Sequence, residues 1–388
     1  MSRPVRRPRR AARAGRIVTA VPLCDGHDSA ITTINLELVR KGWEVIYLGY
    51  HQPASAIARA AVQEDADAIG LSSYNGGHVV FFRQVLAELR ARGARDVLLF
   101  GGGGGTITAS DARVLERAGV KRIFFAGTPL EEMVETVTRE QARRRPSERG
   151  LRGDRALARA VTLAENGSKP GPSPARSRRR ALTIGFAGPG GAGKSTLIDE
   201  LVARFLRNQP AARAAVLAND PSHPDGGALL GDRVSAIYSQ DERVFFRSLA
   251  TRGSLSGISS TAPRALDVLR HSGAFDLVLV ESVGIGQESD PFGVFGRNPC
   301  VDVVAFVLSP HYGGRIQLQK IALLDAADFV VLNKCDDPRA ASAKAELAAR
   351  LSARRRPAAT VVCSAAEHAD PGVDALYAAL AGVERGGA

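Results

Sequence analysis

Eight residues, Gly188-Pro-Gly-Gly-Ala-Gly193-Lys194-Ser195, fit the pattern G-x-x-x-x-G-K-[ST]. The apolar stretch LTIGFAG runs into them and TLIDELVARFL leads away, the strand–loop–helix context this pattern requires. Gly188, Gly190, Gly191 and Gly193 let the backbone turn sharply. The amides from Gly188 through Ala192 to Thr196 can then wrap a phosphate at a helix N-terminus. Lys194 is placed to neutralise β- and γ-phosphate charge, and the Ser195 hydroxyl to ligate Mg²⁺. The base is read farther along. Asn333-Lys334-Cys335-Asp336 has the N-K-x-D form and follows the apolar strand DFVVL. Asp336 would accept from guanine N1 and exocyclic N2, which adenine cannot offer, and Ser364 and Ala365 at the end of ATVVCSA have the form of the S-A loop that backs the guanine. The expected nucleotide is therefore GTP or GDP with Mg²⁺. Asp220, ending AAVLAND, and Glu281, ending DLVLVE, are strand-terminal carboxylates that can reach Mg²⁺ directly or through water. A helix cap or a surface acid is the plain alternative for each. Glu281-Ser-Val-Gly284 occupies the place of a D-x-x-G switch segment, whose glycine amide senses the γ-phosphate.

A second constellation lies near the N-terminus. Asp25-Gly-His27-Asp28-Ser29-Ala30 follows an apolar strand and precedes a helix. An imidazole that ligates cobalt through one nitrogen needs an acceptor on its other N–H, and a carboxylate two residues earlier can supply it. On its own, a loop histidine is as readily a cap or a surface residue. Two further loops bear on the choice. Ser72-Ser73-Tyr74 follows the third strand and five glycines, Gly101–Gly105, follow the fourth. Small residues at adjacent strand ends open a slot that admits the nucleotide tail of a cobalamin, with Ser72, Ser73, Gly104 and Gly105 at its wall. The glycine run costs backbone entropy and needs a reason such as close ligand approach; a flexible turn is the alternative.

Alternating elements must position both groups. Residues 16–140 read strand (RIVTAVPL), helix, strand (WEVIYLGY), helix, strand (AIGLSSY), helix, strand (DVLLFGG), helix and short strand (RIFFAG). Such alternation implies parallel pairing with right-handed crossovers, and ligands bind beyond the carboxyl ends of the strands. From Leu182 the strands LTIGFAG, AAVLAND, DLVLVES, VDVVAFVL, DFVVLNK and ATVVCSA build another such sheet. The expected fold class is α/β, with two doubly wound parallel-sheet domains: a flavodoxin-like domain over 16–140 and a P-loop domain over 182–384. A basic tail (1–15) and a basic linker with one helix, RALARAVTLAEN (141–181), complete the division.

The chain of 388 residues is 45% hydrophobic and 24% charged, the profile of a globular protein. Its net charge of +12 suggests nucleic acid until it is located. Residues 1–16 carry +7 and residues 139–180 carry +9, leaving −4 elsewhere. The excess sits in segments rich in Pro, Arg and small residues, usually solvated, so specific nucleic-acid binding is not expected. No stretch approaches the roughly 20 apolar residues of a membrane span, and no secretory signal is visible. Cys24, Cys300, Cys335 and Cys363 lack metal or disulfide spacing. The expected location is the cytoplasm.

The segments DPSHPDGGALLGDR (220–233), VESVGIGQ (280–287) and NKCD, with RALARAVTLAEN before them, resemble the G-protein chaperones associated with methylmalonyl-CoA mutase. The resemblance implies that Asp220, Asp232 and Glu281 serve the switch and Mg²⁺ site, with Lys194, Asp232 and Glu281 in the catalytic apparatus. The sequence departs from that family in its switch segments, at residues 221–226, at Ser235 and at residues 288–300. The set DGHDSA, SSYNGGH and FGGGGG resembles the B12-binding domain of cobalamin-dependent mutases, with Ala30 in place of the usual glycine. This implies His27 as the lower ligand to cobalt and adenosylcobalamin as cofactor. Both resemblances, in this order over residues 16–384, are those of the fused isobutyryl-CoA mutases. There a large acyl-CoA barrel follows, whereas this sequence stops at Ala388. The reading is a cobalamin-binding small subunit and GTPase chaperone, expected to form a homodimer and to partner a separate mutase large subunit. A stand-alone B12 carrier serving a complete mutase, or a non-enzymatic B12 sensor, are the alternatives.

Overall fold

The computed structural model describes residues 14–23, 29–144, 150–168, 180–284, 289–312, 318, 320–354 and 357–383. The chain folds as two compact units: Met1–Val62, Ala66–Gly150 and Ser222–Leu230 form unit 1, and Gln63–Asp65, Leu151–Pro221 and Gly231–Ala388 form unit 2. Among the described residues no helix is long and apolar enough to cross a membrane.

Unit 1 runs β1 (Gly15–Ala20), α1 (Ser29–Arg40), β2 (Trp43–Tyr47), α2 (Ala54–Gln63), β3 (Ala68–Ser72), α3 (His78–Ala91), β4 (Leu98–Gly102), α4 (Ala109–Ala118), β5 (Arg122–Phe124) and α5 (Leu130–Arg143). Its strands lie in the order β5-β4-β3-β1-β2, all parallel. This is the flavodoxin-like doubly wound order. β1 is buried along its whole length because helices cover both faces. Its one charged residue, Arg16, pairs with its register partner Glu44 at 2.8 Å, so neither charge is left uncompensated. Thr108 and Asp111 form a capping box that starts α4.

A sixth strand, which the sequence pattern does not announce, completes this sheet. The chain contributes Ser222–Leu230 to unit 1, and β8 (Ala228–Leu230) pairs parallel with β2, Glu44 opposite Ala228. Gly227 permits it, because a Cβ there would collide with the carbonyl oxygen of Val39.

Unit 2 holds α6 (Gly153–Glu165), β6 (Leu182–Ala187), α7 (Lys194–Asn208), β7 (Ala214–Asp220), α8 (Asp232–Ser235), β9 (Val244–Ala250), α9 (Ala262–His271), β10 (Leu277–Glu281), β11 (Val303–Leu308), α10 (Leu323–Ala326), β12 (Phe329–Leu332), α11 (Ala340–Leu351), β13 (Ala359–Val362) and α12 (Pro371–Ala381). The strand order β13-β12-β11-β6-β10-β7-β9 is parallel throughout. One face packs on α7 and α12, the other on α6, α9 and α11. α6, read from sequence as a helix within the linker, buries Leu157, Ala158, Val161 and Ala164 in the second of these cores. Burying Leu157 and Val161 contributes about 1.5–3 kcal/mol each, which ties this helix to unit 2. β9 escaped the sequence pattern because VFFRSLA carries a central arginine. Arg247 is fully buried, bonded to Glu165 and to Thr162 Oγ1.

Candidate functional site

In unit 2 the P-loop leaves β6 and enters α7 with little freedom. A Cβ on Gly188 would strike the carbonyl oxygen of Val307, and one on Gly193, at φ +85°, would strike the Asn333 amide. Only glycine meets both demands. Lys194 is buried, its Nζ donating to the carbonyls of Gly188 and Pro189, both at 3.2 Å. Burial pushes its pKa down, while Glu281 and Asp232 pull it back up. The Ser195 hydroxyl donates to Glu281 Oε1 at 2.8 Å. Gly284 lies so close to Gly190 that a Cβ would sit 2.6 Å from the Gly190 nitrogen, which sets the glycine expected to sense the γ-phosphate on the loop.

Three carboxyls converge around Ser195. Burial, then the charge of Asp232, pushes Asp220 up to about 8. The same two causes push Glu281 up to about 7. Asp232 is itself raised by burial, against the pull of Lys194. Asp220 Oδ2 is buried without a hydrogen-bond partner among the described residues. Of the described residues, the three carboxyls have only the Lys194 ammonium to offset them, and a divalent cation fits that need. Among the described residues no three His, Cys, Asp or Glu side chains converge tightly enough to hold a metal alone. Mg²⁺ here would rely on Ser195 and phosphate oxygens as well.

The base loop is tied to the P-loop through one side chain. Asn333 Nδ2 donates to the Ala192 carbonyl at 3.0 Å, and its Oδ1 accepts from the Ala365 amide at 2.9 Å. Asn333 therefore links the phosphate loop to the segment expected behind the base. Lys334 takes a left-handed conformation, φ +62°, beside Gly193. Ser364 Oγ donates to Asp336 Oδ1 at 2.6 Å, and this bond leads in holding the Asp336 carboxyl below the usual carboxylate range. Asn219, which no sequence motif marks, does comparable work. It donates to the Glu281 carbonyl at 2.9 Å and accepts from the Ser259 amide at 3.0 Å, joining β7 to β10. Its position next to Asp220 was the available signal.

Unit 1 contains a cavity of about 330 Å³ between the sheet and helices α1 and α5. Ile17, Thr19, Gly70, Ser72 and Phe100 form its floor, and Ile34 and Val137 stand on the helices opposite. Of the residues expected to hold a cofactor, Ser72 and Gly104 line it. Ser73 turns its backbone to the strand end instead, donating from N to the Gly102 carbonyl at 2.8 Å. Gly105 is not among the lining residues and takes φ +92°. Asp25 and His27 lie outside the described residues. The glycine run has an internal reason as well: a Cβ at Gly103 would strike the Ser73 carbonyl, and one at Gly104 the Tyr74 ring. The apolar walls and a buried, unbonded hydroxyl on Thr19 fit a mostly apolar tail carrying a little polarity.

Sequence comparison meets this geometry. Residues 157–383 match the model of the family described as Methylmalonyl Co-A mutase-associated GTPase MeaB. The chain belongs to this family. Unlike the GTPase model alone, the chain also carries a B12-binding domain, matched over residues 15–135. Fused isobutyryl-CoA mutases from Cupriavidus metallidurans and Geobacillus kaustophilus are 38% and 37% identical to this chain. The alignments cover 95% and 86% of this chain and 35% and 32% of those proteins. The chain thus spans about a third of the length of these relatives.

Proposed function

We propose that this chain hydrolyses GTP and holds adenosylcobalamin as the small subunit and helper of an acyl-CoA mutase of the isobutyryl-CoA or methylmalonyl-CoA type. GTP is assigned to the domain over 182–384 and the cofactor to that over 16–140, in a homodimer that joins a separate large subunit. The observation that carries the GTPase reading is the carboxyl cluster of Asp220, Asp232 and Glu281 around Ser195, with Lys194 beside it. Ser195 and the three acids would hold Mg²⁺, which would neutralise phosphate charge. Lys194 exchanges its two loop carbonyls for β- and γ-phosphate oxygens, the Gly284 amide meets the γ-phosphate, and Asp232 and Glu281 orient the attacking water. Asp336 accepts from the guanine edge while Ser364 and Ala365 back the ring.

In unit 1, Ser72 and Gly104 border the cofactor's tail and the apolar walls exclude water from it. His27, held by Asp25, is assigned as the lower ligand to cobalt. The cofactor supplies the radical carbon-skeleton chemistry when bound.

The test is the visible spectrum of the purified chain after gel filtration with adenosylcobalamin, alongside phosphate release from GTP. A retained base-off, histidine-ligated spectrum with guanine-specific turnover is expected. Loss of the corrinoid on the column sinks the cofactor half, and absent turnover sinks the GTPase half. A mutase large subunit that isomerises acyl-CoA without this chain would make the chain a carrier rather than a subunit. Light scattering at one protomer mass would remove the homodimer.

A further inference from the structure

Thr19 sits on the floor of the unit 1 cavity, opposite Gly70 in the β1–β3 register. It is fully buried, and its Oγ1 has no hydrogen-bond partner among the described residues. Its neighbours Ile17, Ile31, Ile34, Phe100 and Val134 are apolar and offer it no side-chain partner. A valine would fill the same volume without stranding a hydroxyl, and β-branched residues suit the strand equally well. An unbonded buried hydroxyl is a standing cost to the fold, and such costs collect where a ligand removes them. Ser72, on the neighbouring strand, is the second hydroxyl on this floor.

We propose that the Thr19 hydroxyl donates to the ring edge of the aromatic base on the cobalamin tail and selects a benzimidazole-type base over a purine. The proposal rests on the reading of this cavity as the tail site. A benzimidazole joined to its sugar presents one unprotonated ring nitrogen and an apolar remainder, which one donor and apolar walls satisfy. A purine such as adenine brings further ring nitrogens and an amino group. The two floor hydroxyls cannot satisfy all of them, and the unpaired remainder is penalised on burial.

Thr19→Val and Thr19→Ser test this against the unmodified full chain, with thermal unfolding of the ligand-free protein and corrinoid affinity from the visible spectrum as readouts. Thr19→Val is expected to melt at the same temperature or higher, since it removes a stranded hydroxyl. It should bind cobalamin about five- to tenfold more weakly and bind cobinamide, which has no base, with unchanged affinity. Thr19→Ser should keep the cobalamin affinity. The unmodified chain should favour cobalamin over its adenine-bearing analogue by about tenfold or more, and Thr19→Val should narrow that gap. Equal cobalamin affinity in Thr19→Val and the unmodified chain overturns the proposal. So does a lower melting point with cobalamin and cobinamide weakened alike, which would mark a purely structural threonine. Failure of the unmodified chain to bind cobalamin more tightly than cobinamide would instead remove the tail-site reading, and this proposal with it.

Discussion

The nucleotide site of unit 2 and the slot of unit 1 both adjoin parallel sheets, yet their side chains behave oppositely. Around Ser195 the polar groups have found one another: Lys194 bonds loop carbonyls and Ser195 bonds Glu281. The slot keeps about 330 Å³ because its walls are fixed by packing that does not involve the slot's contents. Gly101 lies against Phe82, and Trp43 is buried under Gly15. A charge-binding site closes on itself through long polar side chains, whereas an apolar slot has no such arms. On the proposed reading, nucleotide displaces the internal hydrogen bonds of Lys194 and Ser195, while the cofactor's tail enters a shape already present.

The largest effect expected from this difference is at Lys194. Lys194→Ala removes the ammonium that follows the phosphates and should lower GTP turnover by about a hundred- to a thousandfold. Cobalamin retention should not change. Phosphate release and the corrinoid spectrum, measured on the same sample, check both halves. A parallel loss of cobalamin would mean that the two sites do not work by separate means.

Asp336→Asn comes next. The substitution keeps the size but turns an acceptor toward a donor, and should erode the preference for GTP over xanthosine triphosphate by about ten- to a hundredfold. Competition binding with the two nucleotides reads this directly, and unchanged discrimination would remove Asp336 from base reading. On the other side of the comparison, Ile34→Trp intrudes into the slot. Overpacking of a preformed cavity should weaken cobalamin binding about tenfold and leave GTP turnover untouched. If the variant binds normally, the slot is not where the tail lies.

What could be read in advance follows the same divide. The strand–loop–helix with Lys194 and Ser195 and the loop with Asp336 are local patterns: backbone geometry dictates glycine at 188 and 193, and lysine and aspartate stand at fixed spacing within a few residues. The main strands of both sheets were readable because helix-covered parallel strands are continuous apolar runs. β8 was not readable, since three residues, Ala228–Leu230, pair with β2 some 180 residues away in sequence and only Gly227 hints at a close approach. β9 hid behind Arg247, whose partners Thr162 and Glu165 belong to a distant helix. Within the site, Asn333 carried the right motif, yet its side chain is engaged by Ala192 and Ala365, a geometry no motif states. Thr19 lay unremarked in an apolar strand because only burial shows that its hydroxyl has no partner among the described residues.

The smallest effect is at Ser364, where the comparison is sharpest because a single hydrogen bond tunes the residue proposed to read the base. Ser364 Oγ lies 2.6 Å from Asp336 Oδ1, and this bond is the leading cause that keeps the carboxyl below its ordinary range. Guanine recognition needs the ionised carboxylate, which accepts from two N–H groups at once. Ser364→Ala should let the Asp336 pKa climb back toward the ordinary carboxylate value, so on acidification guanine affinity is lost at a higher pH than in the unmodified chain. Near neutral pH Asp336 is ionised in both proteins, and solvent replaces much of the lost bond at this exposed group. There the affinity should fall only about two- to fivefold. GDP titrations from neutral pH down to the acid limit of the fold check the displacement. Coincident acid limbs would mean that Ser364 backs the ring without setting the charge of Asp336.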